Sequence, residues 1–230
     1  MEVKRMVCLA NSRKLNGRCL AGIELADGRK VGWVRPVSSR EHQEVSEHER
    51  QYPDGSDPRV LDVMQVPLLE PRPGSYQQEN WLLDPEHYWE KVDSIQWDEL
   101  ALLTDPPGPL WIDGHNTYNG RNDTIPLVEA ERLRSSLRLV YVPDLSLSVL
   151  VPGRAFGNPK RRVQGRFTLD GTEYRLWVTD PGYERAYLSQ KDGDYQLGEC
   201  YLTVSLGEPF EGRCYKLIAT IIQPQGGPSE

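Results

Sequence analysis

The sequence has no apolar run long enough to cross a membrane, and its start, MEVKRMVCLA, lacks the sustained hydrophobic region of a signal peptide. A cytoplasmic protein with no membrane partner is the expectation. Cysteine is scarce. Cys8, Cys19, Cys200 and Cys214 show no CxxC spacing and read as reduced thiols within or beside strands, rather than as a zinc site or a disulfide framework. P-loop, GxSxG and dinucleotide fingerprints are all missing, so no cofactor or metal is expected. An excess of positive charge is missing too: the net charge of −7 argues against indiscriminate nucleic-acid binding.

What charge there is falls unevenly. Residues 1–40 carry 9 Lys/Arg against 3 Asp/Glu, residues 41–130 carry 5 against 19, and residues 131–230 carry 13 against 12. The acid is concentrated in the middle of the chain, leaving both ends neutral to basic.

Both ends also share a pattern. VPLLEP (Val66 to Pro71) returns as VSLGEP (Val204 to Pro209), and DGRKVGWVRP (Asp27 to Pro36) returns as DGTEYRLWVTDP (Asp170 to Pro181). Val7-Cys8-Leu9 and Val149-Leu150-Val151 each lead into a basic loop and then a β-type run. These features keep the same order at offsets of 138 to 144 residues, which points to an internal duplication.

Asp-Gly between β-rich runs signals a hairpin with a type I′ turn, because both turn residues need positive φ. Arg18 to Ala26 is therefore expected to pair with Arg29 to Val37, and Arg166 to Leu169 with Thr172 to Val178. Further strands are expected at Val60 to Leu69, Glu199 to Leu206 and Arg213 to Ile222. About five short strands in each of two copies predict a mainly β protein: two tandem small Greek-key barrels of the OB type, with an SH3-like barrel as the competitor. The expected layout is a first barrel over 1–73, a connecting insert over 74–136, a second barrel over 137–224 and a tail over 225–230. Within the insert, Asp84-Pro85 predicts the start of a short helix in Leu83 to Val92, and a second helix is expected over Leu127 to Ser135. The stretch holding His42 and His48 reads as a solvated helix.

Two groups of residues suggest function. Cations recur in the loop after the first strand of each copy: Arg13, Lys14 and Arg18, then Lys160, Arg161, Arg162 and Arg166. In OB folds this loop lines the nucleic-acid groove, where cations meet phosphates and aromatics stack on bases. Trp33, Phe156, Phe167, Trp177 and Tyr187 are the stacking candidates, although aromatics in a barrel also serve as core. The other group is WIDGHNTYNGRNDTIP (Trp111 to Pro126), where His115 near Asp113 and Asp123 could act as a general base for phosphoester cleavage or hold a metal. The same Asn, Asp and Gly residues equally suit a tightly turned scaffold loop.

MVCLANSRKLNGRC, GWVRPVS, QQENWLLDP, DGHNTYNGRND, FGNPKRRVQGRF, WVTDP and LGECYLTVSLGEPF together resemble the bacterial dual OB-containing domain family, which is linked to prokaryotic conflict and defence systems. The resemblance spans nearly the whole chain. It implies two OB folds that bind nucleic acid or a nucleotide-derived ligand, and it supplies no catalytic residues; single-stranded nucleic acid is the form expected for a binding module. The expected function is thus a non-catalytic binding module, an accessory or sensor subunit serving a partner effector in antiviral defence. The alternatives are a nucleic-acid hydrolase built on the His115 loop, or an assembly subunit whose acidic insert docks onto a basic partner.

Overall fold

The computed structural model describes residues 1–14 and 17–228. Leu15 and Asn16, which by sequence belong to the first basic loop, and residues 229–230 of the tail lie outside the described residues. The chain divides into two compact units, Met1–Leu103 with Leu133–Ser136, and Thr104–Arg132 with Leu137–Glu230.

The first unit holds β1 (Glu2–Lys14), β2 (Gly17–Ala26), β3 (Arg29–Val37), β4 (Asp62–Pro71), β5 (Asn80–Leu83) and β6 (Glu90–Ser94), with one helical turn, α1 (Glu47–Arg50). The barrel runs β1-β2-β3-β5-β4 and closes through β4 onto β1. The β3–β5 pairing is parallel and the other four are antiparallel. Pairing the third strand with the fifth is a Greek-key order, and it decides for the OB barrel over an SH3-like one.

The second unit repeats this order. It holds β7 (Thr124–Pro126), β8 (Leu137–Leu150), β9 (Arg162–Leu169), β10 (Thr172–Val178), β11 (Gly193–Leu206) and β12 (Arg213–Ile222). Its barrel runs β8-β9-β10-β12-β11 and closes onto β8, again with its third and fifth strands, β10 and β12, parallel. A helix, α3 (Pro181–Leu188), lies between the third and fourth strands, where the first barrel has α1. α3 starts where Asp180 accepts hydrogen bonds from the amides of Gly182 and Tyr183, and Pro181 takes the first helical position. β7 adds to the edge of β12.

The Asp-Gly signals mark the turns they promise. Asp27 and Gly28 have φ of 51° and 72°, and Asp170 and Gly171 have φ of 46° and 79°, the doubly positive pattern of a type I′ turn. Trp33 and Trp177 fall in corresponding strands, β3 and β10, but on different rungs. Trp177 begins the parallel ladder opposite Leu217, whereas the β3 ladder begins two residues after Trp33, at Arg35 opposite Asn80.

Each barrel has its own core. Met6, Cys8, Leu20, Val34, Met64, Val66 and Leu68 fill the first, and Leu147, Val163, Phe167, Tyr174, Leu176, Val204 and Ile218 are among those filling the second. Both second strands also turn a glycine inward. A Cβ on Gly22 would lie 2.0 Å from the Val7 carbonyl oxygen, and one on Gly165 would lie 2.3 Å from Ile218 Cδ1.

Three sequence expectations change. Leu83 to Val92 is not a helix: Asp84 accepts a hydrogen bond from the Glu86 amide, forming a side-chain-capped turn, and the chain returns as β6 along β4. β5 and β6 act as one fifth strand interrupted by residues 84–89, and this excursion carries Trp89 into the first core. Residues assigned to the insert therefore complete the first barrel. Helix Leu127 to Ser135 shortens to α2 (Leu127–Ala130), and Leu133–Ser136 packs with the first unit. The helix around His42 and His48 shrinks to α1, which Ser46 and Glu49 cap reciprocally, so His42 sits in a turn before it.

Candidate nucleic-acid interface

An OB barrel offers its ligand the outer face of its second and third strands and the loop joining its first and second. Strand alternation assigns that face in each unit.

In the first barrel the face turns outward Ile23, Trp33 and Arg35, yet Ile23 and Arg35 are buried. Lys30 reaches over to the Leu103 carbonyl at 2.8 Å. Arg35 donates to Ser136 Oγ at 2.9 Å and pairs with Glu79 at 3.2 Å, and both charged side chains are at most 3% exposed. Segments of the same unit thus close much of this face, with Trp33 half-buried at its border. The cations stand at the far end of the β1–β2 hairpin, where Arg13 opposes Arg18 and Lys14 opposes Gly17. Arg13 is exposed, Lys14 and Arg18 are half-buried, and the Arg18 backbone is bridged to Val45.

In the second barrel the outward residues are Arg162, Gln164 and Arg166 on β9, and Glu173, Arg175 and Trp177 on β10. The half of this face toward the β9–β10 turn is charged and open, with Arg166 and Arg175 both paired to Glu173 at 2.9 and 3.0 Å. Those hydrogen bonds and charges, with that from Arg175 the largest, hold the Glu173 carboxyl below its usual range. The other half is covered. Gln164 donates to the Asn119 carbonyl at 2.7 Å, and the Arg162 guanidinium sits 4.2 Å above the Trp177 ring, which is only 8% exposed.

The cover is the Trp111 to Pro126 loop. Asn122 organises it, accepting from the Gly114 amide at 2.7 Å and donating to the Glu173 carbonyl at 2.9 Å, while its own amide is bound by Asn116 Oδ1 at 2.7 Å. Arg121 and Arg175 exchange backbone hydrogen bonds, so the loop runs along the β10 edge. Asp123 is 2% exposed and accepts from the amide and hydroxyl of Thr117. Asp113 accepts from Tyr174 at 2.8 Å and pairs with Lys216 at 3.3 Å. Lys216 is fully buried and also donates to the Ile112 carbonyl, and burial pulls its pKa down to about 8 against the opposing pull of Asp113. The His115 ring bonds to neither carboxylate, and no group of three or more His, Cys, Asp or Glu gathers around a possible metal among the described residues. Both carboxylates of the proposed hydrolytic site are used to fold the loop.

The β8–β9 connection separates its cations by role. Arg161 is a staple: it reaches Asp192 at 2.8 Å and the carbonyls of Leu188 and Gln190 at 2.7 and 2.5 Å, tying the connection to the C-terminal end of α3. Arg162 covers Trp177, and Arg166 belongs to the pairs with Glu173. Lys160 is exposed, and its side chain has no partner among the described residues. The aromatic candidates separate too. Phe167 stacks on Tyr174 inside the core, and Tyr187 packs between Tyr183 and Tyr195. Phe156, at 78%, stands in solvent. Beside it, at a ring-centroid distance of 6.2 Å, is Tyr118 from the covering loop, 83% exposed. The stacking candidates read from the sequence omit Tyr118, because its position beside Phe156 follows from the loop's path and not from its spacing.

All four cysteines are free thiols. Cys8, Cys200 and Cys214 are buried, which pushes their thiols up to about 12, 12 and 11.

Two barrels of identical strand order, each with a basic connection between its first two strands, define a tandem OB-barrel protein. The family model described as the dual OB-containing domain matches residues 4–221, and the chain belongs to that family. Comparison with curated proteins and with solved structures gives no match.

Proposed function

We propose that this protein is a non-catalytic module binding single-stranded nucleic acid or a nucleotide, and that it serves a partner effector as an accessory or sensor subunit of bacterial antiviral defence. The observation that carries the binding part is the β8–β9 connection. The connection, Val151 to Arg161, holds Arg154, Lys160 and Arg161 and no acidic residue, at the place where OB barrels meet phosphates. Lys160 has no side-chain partner among the described residues and Arg154 has only an exposed pair with Asp192, so these two are the cations offered to a phosphate. Within the second unit, the part of the covering loop that reaches this connection, residues 114–122, contains no acid and one arginine. The defence role rests on the family resemblance. Four free thiols fit a reducing cytoplasm.

The test is purification from cells followed by mass spectrometry of whatever is bound. Oligonucleotide or nucleotide recovered with the wild type and reduced in Lys160→Glu supports the reading. A metal-dependent nuclease activity abolished by His115→Ala would replace it with the hydrolase.

A further inference from the structure

Tyr118 and Phe156 come from different segments of the second unit, and the fold holds them together. Asn119 Nδ2 donates to the Pro152 carbonyl at 3.5 Å, and the Asn119 carbonyl accepts from Gln164, so the covering loop is fixed to the base of the β8–β9 connection. The two rings meet edge to face, 73° apart, with about four-fifths of each residue in solvent. We infer that this pair is a stacking platform for an unpaired base of a single-stranded nucleic acid, whose neighbouring phosphates meet Lys160 and Arg154. The inference rests on the binding reading above and names the part of the ligand that reading leaves open.

Three observations favour a nucleic acid over a protein at this spot. The residues flanking the two rings in sequence, 116–120 and 152–160, include Asn, Gly, Arg and Lys and no Val, Leu, Ile or Met, whereas the centre of a protein interface is apolar and poor in charge. Lys160 has no side-chain partner among the described residues, and Arg154 is held by an exposed pair with Asp192 at 3.1 Å, which is weak enough to exchange for a phosphate. Trp177, on the usual stacking face, is shut under Arg162, whereas the Tyr118–Phe156 pair offers an exposed π surface beside the basic connection. Stacking reads no particular base, and the platform would tolerate many sequences.

Fluorescence anisotropy with two labelled strands about 12 nucleotides long, oligo-dT and an abasic strand of the same length, tests this. Wild type should bind oligo-dT more tightly than the abasic strand. Tyr118→Ala and Phe156→Ala should each weaken oligo-dT binding about fivefold or more and leave the abasic strand unaffected, while Lys160→Glu weakens both. Leu102→Ala, an exposed residue of the first unit, should change neither. If oligo-dT binding survives in both aromatic variants but falls in Lys160→Glu, the platform is wrong and the binding reading stands. Failure of the wild type to bind either strand would overturn both. The aromatic substitutions are at exposed positions, so loss of fold does not confuse the result.

Discussion

Gln164 donates its side-chain amide to the backbone carbonyl of Asn119 at 2.7 Å, and through that bond the face on which an OB barrel usually binds is partly closed by the protein's own loop. Gln164→Met keeps the volume and removes the donor. The expected result is a loss of about 1 kcal/mol and faster amide hydrogen exchange across residues 114–122, with the β9–β10 hairpin unchanged. Unaltered exchange in the loop would mean that its own Asn122 and Asp123 bonds hold it in place.

Arg161 should behave as a structural residue although it lies among candidate binding cations. Arg161→Ala removes its bonds to Asp192 and to the Leu188 and Gln190 carbonyls, and about 1–3 kcal/mol of stability should go with them. A fall in the urea midpoint at constant slope checks this. An unchanged midpoint would return Arg161 to the binding surface.

The inward glycines should differ in tolerance. At Gly22 the added methyl meets the backbone of Val7, and at Gly165 it meets the movable end of Ile218. Gly22→Ala is expected to cost at least about 3 kcal/mol or prevent folding, and Gly165→Ala about 1–2 kcal/mol. Thermal unfolding ranks them, and the reverse order would contradict the packing described for β2.

Lys216 should leave a mark on alkaline stability. Its folded pKa, about 8, lies below the unfolded value of 10.5, so between these values the unfolded chain holds a proton that the folded one has lost, and stability from this group rises with pH. The full effect is on the order of 3 kcal/mol. The buried thiols, raised to about 11 to 12, act in the opposite direction over an overlapping range. Subtracting the stability of a Lys216→Met variant at each pH cancels them. The difference should move in favour of the wild type from about pH 8 upward, and a flat difference would mean that Lys216 is not desolvated.

The hairpins were legible because Asp-Gly carries a local backbone requirement that needs nothing else from the chain. Strand Arg213 to Ile222 was legible for a similar reason, since its β-rich run keeps its bounds in β12. The fifth strand of the first barrel was not. Asn80–Leu83 is four residues long, and Asp84-Pro85 after it is as good a start for a helix as for a turn, so only pairing with β3 and β4 decides. The binding residues show the same limit. Clustered cations can be read from the sequence, but not that Arg161 finds Asp192 31 residues later, nor that Trp177 is covered and Tyr118 is brought to Phe156.

The salt dependence of single-stranded oligonucleotide binding decides whether the second barrel carries a phosphate-contact surface. For a phosphate contact surface on the second barrel, log affinity should fall linearly with log salt, with a slope of about 0.7 per phosphate neutralised, and Lys160→Glu should weaken binding and flatten that slope at unchanged stability. Equal affinity of wild type and Lys160→Glu at low salt, or no binding there at all, would contradict the nucleic-acid account.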